Sequence, residues 1–323
     1  MPQLSNIQAS PEELQDYYAE LRAQHVTPAW IGSGISIEPS SEAVPYLWRW
    51  RELRPQAMRA AELVGTQQAE RRVLRLTNPK LPGPASNTLV ANIQIMMPGE
   101  MARAHRHSAA ALRLIIEGRG GYTVVNGERV PMSPGDLVLT PGWSWHDHAN
   151  ETDAPMIWLD GLDTPLVRML EAGFYEEYHQ ERQDFGAPVN VSQWHYSMTE
   201  MRAALQQLAD TSKSGEEIIL EYRNRQTGGP VMPTISCHMQ LLRPGEKTKA
   251  WRRVCRTNYH LVEGAGYSIV GDHRLDWEDK DVFTVPTWAL CEHVNNGDRQ
   301  AFLFSFSDAP VMKALSLYRH EAR

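Results

Sequence analysis

The chain has 323 residues, 42% of them apolar and 22% charged, the composition of a globular protein with a sizeable core, and at about 150 residues per domain the length predicts two domains. Thirty-two Lys and Arg against 39 Asp and Glu give a net charge of −7, which repels phosphates and sets nucleic acid and anionic membranes aside as partners. No apolar run approaches the roughly 20 residues that span a bilayer, and Cys237, Cys255 and Cys291 are too widely spaced and too few for a disulfide framework or a C-x-x-C site. The opening Met1 to Asn6 shows neither a basic n-region nor an apolar h-region, so no secretory signal is predicted and a reducing cytoplasm is the expected location. In chain order, Ser10-Pro11-Glu12-Glu13 is a capping box with proline at the first helical position, and Leu14, Tyr17, Tyr18 and Leu21 follow at helical spacing. A second helix is predicted near residues 55–70. Short apolar or alternating tracts then take over, among them Leu112 to Ile116, Tyr122 to Val125 and Asp136 to Thr140, punctuated by turns such as Asn126-Gly127. A helix is predicted over 197–210, with Met201, Leu205 and Leu208 on one face, and a short one over 312–318.

The middle of the chain repeats itself. Asn92 to Glu100 matches His238 to Glu246 at an offset of 146, as do Gly83-Pro84 with Gly229-Pro230 and Glu117-Gly118 with Glu263-Gly264. After one deletion the offset becomes 145 and pairs Gly121-Tyr122 with Gly266-Tyr267, Pro141 with Pro286, Trp143 with Trp288 and His148 with His293. Two copies of one domain are therefore predicted. Strands at near-regular spacing make each an antiparallel sandwich or barrel, and the class all-β. The expected layout is a helical arm (1–72), a first β-domain (73–165), a linking segment (166–220), a second β-domain (221–311) and a terminal helix (312–323).

The first copy holds His105-Arg106-His107 and, further on, His146-Asp147-His148. Residues i and i+2 of a strand share a face, so three imidazoles on two neighbouring strands can gather around one metal and leave other positions open. A lone strand histidine is more often a surface or hydrogen-bonded core residue, but the setting here is narrower. Gly99, five residues and His105-x-His107, then Gly135, five residues, Pro141 and His146-x-x-x-Asn150 resemble the two cupin motifs. Most cupin metal sites add a glutamate four or five residues after the H-x-H pair, where this chain has Ala111 and Leu112. Three neutral ligands leave Fe²⁺ its full charge, which suits a dianionic chelator such as a carboxylate beside an ionised phenol. By register the second copy replaces His105, His107 and His146 with Trp251, Arg253 and Cys291, so its site is lost and its role is structural. His293 is left there as a packed or surface residue.

Taken together, His105-Arg106-His107, Arg113, Glu117-Gly118, Val125-Asn126-Gly127, Gly135-Asp136, Thr140-Pro141-Gly142-Trp143, His146-Asp147-His148 and Asp160-Gly161-Leu162-Asp163 resemble the gentisate 1,2-dioxygenase family, which includes salicylate and 1-hydroxy-2-naphthoate dioxygenases. The likeness extends to Trp48-x-Trp50, Glu70-Arg71-Arg72 and Phe306 to Pro310. It implies a bicupin homotetramer of two jelly-roll barrels, with Fe(II) held by His105, His107 and His146. It also implies O₂-dependent cleavage of the ring between the carbons bearing carboxylate and hydroxyl. Arg113 matches the arginine that binds the substrate carboxylate, with an ordinary ion pair as its bland alternative. Gln94 and His148 match residues that hydrogen-bond substrate and oxygen, although Gln94 recurs as Gln240 and can equally serve the fold. Asp160 matches a carboxylate that orients the site, or else caps a turn. His148 is the expected proton carrier, from its near-neutral reference pKa. Trp48 and Trp50 are read as packing or subunit contacts. Salicylate-cleaving relatives carry tryptophan at Val90 and arginine at Gln67, so a roomier pocket is expected. Gentisate is the default substrate, with a 5-substituted (nitro, halo or amino) salicylate or 1-hydroxy-2-naphthoate as competitor. A non-oxidative metal-dependent cupin enzyme and a sugar-binding or storage bicupin are the remoter readings.

Overall fold

A computed structural model describes residues 9–32, 36–186, 192–213 and 215–322. The chain divides into two compact units, Met1–Ser40 and Ser41–Arg323. In the first, the helix Pro11–Ala23 begins as the sequence predicts. Ser10 Oγ accepts from Glu13 N at 3.2 Å and the Glu13 carboxylate accepts from Ser10 N at 2.7 Å, satisfying two of the orphan donors of the first turn.

The second unit contains four antiparallel sheets, two for each copy of the repeat. In the first copy a six-stranded sheet runs in the order His195–Tyr196, Leu137–Thr140, Ala111–Glu117, Met156–Leu162, Val90–Met96, Arg72–Arg75. It is joined by a five-stranded sheet in the order Tyr175–Glu177, Met101–His107, His146–Ala149, Tyr122–Val125, Glu128–Pro131. The second copy repeats both orders from Tyr46–Trp48 through Ile218–Tyr222 and from His273–Trp277 through His320–Ala322. Each copy is thus a jelly-roll of the expected all-β kind, built as a sandwich of two sheets because strand pairing stops at the sheet edges. The six-stranded sheets of the two copies share one apolar core, in which Ile93, Leu112 and Leu159 join Met239, Leu241, Phe304 and Phe306. Gly161 is required there: a Cβ would meet the Phe306 ring at 2.7 Å. Trp48 and Trp50 are buried in that same core.

The repeat reaches further than the sequence comparison, and its outer parts are exchanged. The strand Tyr46–Trp48 pairs with Val282–Val285 of the second copy, while His195–Tyr196 pairs with Leu137–Thr140 of the first. The helices Trp50–Leu63 and Met198–Thr211 follow these strands. Each is anchored by a carboxylate of the opposite copy, Asp281 Oδ1 accepting from Trp50 N at 2.7 Å and Asp136 Oδ1 from Met198 N at 3.0 Å. That anchor starts the first helix at residue 50, ahead of the predicted 55, because a side chain 231 positions away supplies its cap. The terminal helix likewise starts early, at Ala309, and ends at Ala314. A matching pair of hydrogen bonds crosses between the copies: Thr88 Oγ1 donates to Asp308 Oδ2 at 2.6 Å, and Thr234 Oγ1, part-buried, to Asp163 Oδ2 at 2.5 Å. Among the described residues no helix is long and apolar enough to cross a membrane.

Candidate metal centre

His105 and His107 share one face of the strand Met101–His107, and His105 lies directly opposite His146 on the neighbouring strand. The end of the first strand is pinned by the turn after Thr140, where Trp143 takes a left-handed φ of 63° and donates its N–H to His107 O at 2.7 Å. Gly142 precedes it because a Cβ there would meet Ser108 O at 2.5 Å. The imidazole ligand atoms of His105, His107 and His146 lie within 4.8 Å of one another. Their ring centroids are 4.2 to 5.5 Å apart.

All three rings are oriented in the same way. The Nδ1–H groups donate to Arg103 O at 2.8 Å, Ala109 O at 2.8 Å and Ser144 O at 2.9 Å. These bonds fix the tautomer and leave each Nε2 lone pair to face the centre. Burial, with Arg71 and Arg113 adding to it, holds His105 down to about pKa 3. Burial likewise lowers His107, and pushes His146 far below its ordinary value. The trio is therefore neutral and ready to ligate at physiological pH. His146 Nε2 is buried without a hydrogen-bond partner, an orphan that a cation satisfies. His105 Nε2 accepts from Arg71 Nη1 at 3.0 Å, so a metal takes that lone pair in place of the guanidinium. The donor set fits one divalent cation with open positions.

The six-stranded sheet supplies the opposite wall. Arg113 and Asp160 face each other in register, Nε to Oδ1 at 3.4 Å, and Arg113 Nη1 donates to Thr140 Oγ1 at 2.6 Å. At 3.4 Å the ion pair is a contact without an aligned hydrogen bond, and both atoms lack a hydrogen-bond partner. Burial raises Asp160 to about 6 although Arg113 pulls it down. Gln94 and Asn92 lie on the adjacent strand, with Gln94 Nε2 and Asn92 Oδ1 also unpartnered. Together with Arg71 and His107 these side chains line a cavity of about 110 Å³. His148 stands beside the trio, 5.7 Å from His146 between centroids. Thr123 Oγ1 donates to Asp147 O at 2.8 Å and so accepts from His148 Nδ1, which leaves the His148 Nε2 lone pair free and buried. Burial, then Arg113, pushes His148 well below 6.5, a correction to the near-neutral titration expected of it: the ring is a neutral acceptor.

Sequence reasoning thus named residues that the fold brings together: His105, His107, His146, His148, Arg113, Gln94 and Asp160. Val90 is buried in the wall of a neighbouring cavity, and Gln67 is exposed and lines neither. The sequence places Arg71 only within a resemblance, Asn92 only in the repeated segment and Thr123 only in a strand tract, none of them with a role in the site. An arginine pair just before the first strand is a faint signal, because its reach into the centre depends on how the strand Arg72–Arg75 docks at the sheet edge.

A jelly-roll sandwich whose facing strands gather three imidazole Nε2 atoms under a buried arginine defines a metal-binding cupin. The cupin domain family matches residues 92–161. The chain is 38% identical to the 5-aminosalicylate 1,2-dioxygenase of Comamonas sp, over 96% of this chain and 90% of that protein. It is 35% identical to gentisate 1,2-dioxygenase 1 of Aquipseudomonas alcaligenes, over 96% and 97%. The crystal structure of the salicylate 1,2-dioxygenase from Pseudaminobacter salicylatoxidans superposes with a TM-score of 0.88 at 35% identity, covering 98% of both chains. The chain belongs to the gentisate/salicylate 1,2-dioxygenase family, a group of oxidoreductases.

Proposed function

We propose that this protein is a cytoplasmic, homotetrameric Fe(II)-dependent dioxygenase. It opens an o-hydroxy aromatic acid between the carbons bearing carboxylate and hydroxyl, with gentisate or a 5-substituted salicylate such as 5-aminosalicylate as substrate. The observation that carries the reading is the convergence of three neutral Nε2 donors, one of which, His107, lines a small cavity together with Arg113 and Arg71. Two guanidiniums against one carboxylate leave that cavity positive before any metal enters, so it favours an anionic guest. Iron held by His105, His107 and His146 would supply positions for the substrate's carboxylate and phenolate oxygens and for O₂, with the electrons that let O₂ react.

The chain's own groups do the rest. Arg113, tethered to Thr140 and Asp160, presents its remaining N–H groups to the substrate carboxylate and lowers the entropic cost of aligning the ring. Arg71 leaves His105 to neutralise the same anion. Gln94 Nε2 donates to an oxygen of the bound acid. His148 Nε2 accepts a hydrogen bond from the bound acid's ring hydroxyl, while Thr123 holds the imidazole in the accepting tautomer. Asp160 keeps Arg113 in place and charged. Aerobic incubation of iron-loaded protein with gentisate, salicylate, 5-aminosalicylate, 5-nitrosalicylate and 1-hydroxy-2-naphthoate tests this. Ring opening with one O₂ consumed per substrate is expected; turnover without O₂, or none with any acid, overturns it.

A further inference from the structure

Next to the metal-side cavity lies a larger one of about 450 Å³, and the two share Asn92 and Leu162 in their walls. Sheet register explains the arrangement. Arg75 stands opposite Asn92 where the strand Arg72–Arg75 pairs with Val90–Met96, and Leu162 stands opposite Val90 on the other side. The helix Thr164–Met169, which follows directly, brings Arg168 to the same wall. No carboxylate lines this space, and among the described residues neither Arg75 nor Arg168 has an ion-pair partner, whereas Arg54, Arg72, Arg103 and Arg106 are all paired. Asn92, 8% exposed, contributes a buried Oδ1 without a partner. Two uncompensated guanidiniums on a wall next to the candidate metal centre, in a chain of net charge −7, are matched by an anion or a strong acceptor, whereas the Asn92 Oδ1 is matched by a donor.

Resting on the function proposed above, we propose that this cavity receives the side of the aromatic acid remote from the carboxylate–hydroxyl pair, and that Arg75 and Arg168 select a second anionic or hydrogen-bond-accepting substituent there, such as carboxylate, sulfonate or nitro. Val90 leaves the space open, and Leu162 packs on the ring. The selection is electrostatic and falls with salt, because both guanidiniums are solvent-exposed.

The test compares salicylate, 5-nitrosalicylate, 5-sulfosalicylate and 1-hydroxy-2-naphthoate in iron-loaded wild type and in the variants Arg75→Gln, Arg168→Gln, the double variant and Arg75→Lys. It reads kcat/KM in air and binding by calorimetry without oxygen. Wild type should favour the 5-nitro and 5-sulfo acids over salicylate by about tenfold or more. Each glutamine should erase about fivefold of that preference, mostly in KM, with salicylate itself unchanged within about twofold and lysine restoring much of it. A preference untouched by the double variant, or the naphthoate bound most tightly, overturns the inference. If no acid is opened, the proposed function falls, and the calorimetric ratios still decide whether the arginines select the substituent.

Discussion

The two cupin copies are built on one backbone scheme and differ in what fills it. Both hold a left-handed tryptophan at the turn beside the site, Trp143 with φ 63° and Trp288 with φ 62°, each donating its N–H to the strand that carries the H-x-H positions. Both stack an arginine on that tryptophan, Arg106 at 4.4 Å and Arg252 at 4.5 Å. Both tie a histidine to a hydroxyl, His148 to Thr123 and His293 to Ser268. Trp251 and Cys291 even pair across the strands at the register of His105 and His146. In the second copy, however, the Arg253 guanidinium lies 3.5 Å over the Trp251 ring, so a protein cation and an indole occupy the region where the first copy converges three lone pairs. The facing wall changes with it: Tyr259 stands at the position of Arg113 and Ser305 at that of Asp160. The shared features belong to the fold, and the features confined to the first copy belong to the chemistry. On that criterion the His148 Nδ1 bond is architectural, and Arg113 and Asp160 are not.

The sharpest way to break this comparison is to truncate one side chain at a ligand-equivalent position in each copy. His107→Ala should abolish bound iron and lower ring opening by about 10⁴-fold or more, whereas Cys291→Ala should leave metal content and turnover unchanged. Metal analysis by mass spectrometry with oxygen uptake decides it, and equal losses in both variants would end the asymmetry. Next in size is the pair peculiar to the first copy. Arg113→Met should destabilise the protein by about 3–5 kcal/mol, because it leaves Asp160 buried without its cation, and should raise KM by about 100-fold. Adding Asp160→Leu should recover the stability and none of the activity, which urea unfolding and steady-state kinetics separate.

Smaller effects probe what the copies share. Thr88→Val and Thr234→Val each remove one hydrogen bond from a hydroxyl to the opposite copy's aspartate. Each should cost about 1.5–3 kcal/mol in denaturant unfolding, in similar amounts if the exchange is symmetric. The last test is in pH. Burial holds His260 and His293 of the second copy down to about 3, with Lys280 and Arg253 respectively adding to it. These rings are neutral when folded and take up protons near pH 6.5 when unfolded, so the unfolded state binds more protons between about pH 6.5 and 3. Stability is therefore present above 6.5 and lost as pH falls through that window. His293→Gln should flatten the slope by about 1.4 kcal/mol per pH unit, measured by urea titrations across the range.

Much of this molecule was legible in the sequence because its information is local or periodic. A capping box declares its own helix at Ser10, and alternating tracts between Asn-Gly and Pro-Gly turns declare strands. A 146-residue offset exposes a duplicated domain, and H-x-H on a strand places two imidazoles on one face. Tertiary structure decided what depends on side chains distant in sequence. Asp281 starts the helix at Trp50 and Asp136 the helix at Met198, exchanges that no window of sequence contains. Arg71 enters the metal centre only because an edge strand docks there, and Arg75 meets Arg168 over a cavity only because a sheet and the following helix converge. The titration of His148 was settled in the same way, since a reference pKa describes a ring in water and this one is buried beside Arg113. Residue type and spacing set which groups could act; burial and packing set their charge, their free lone pairs and their neighbours.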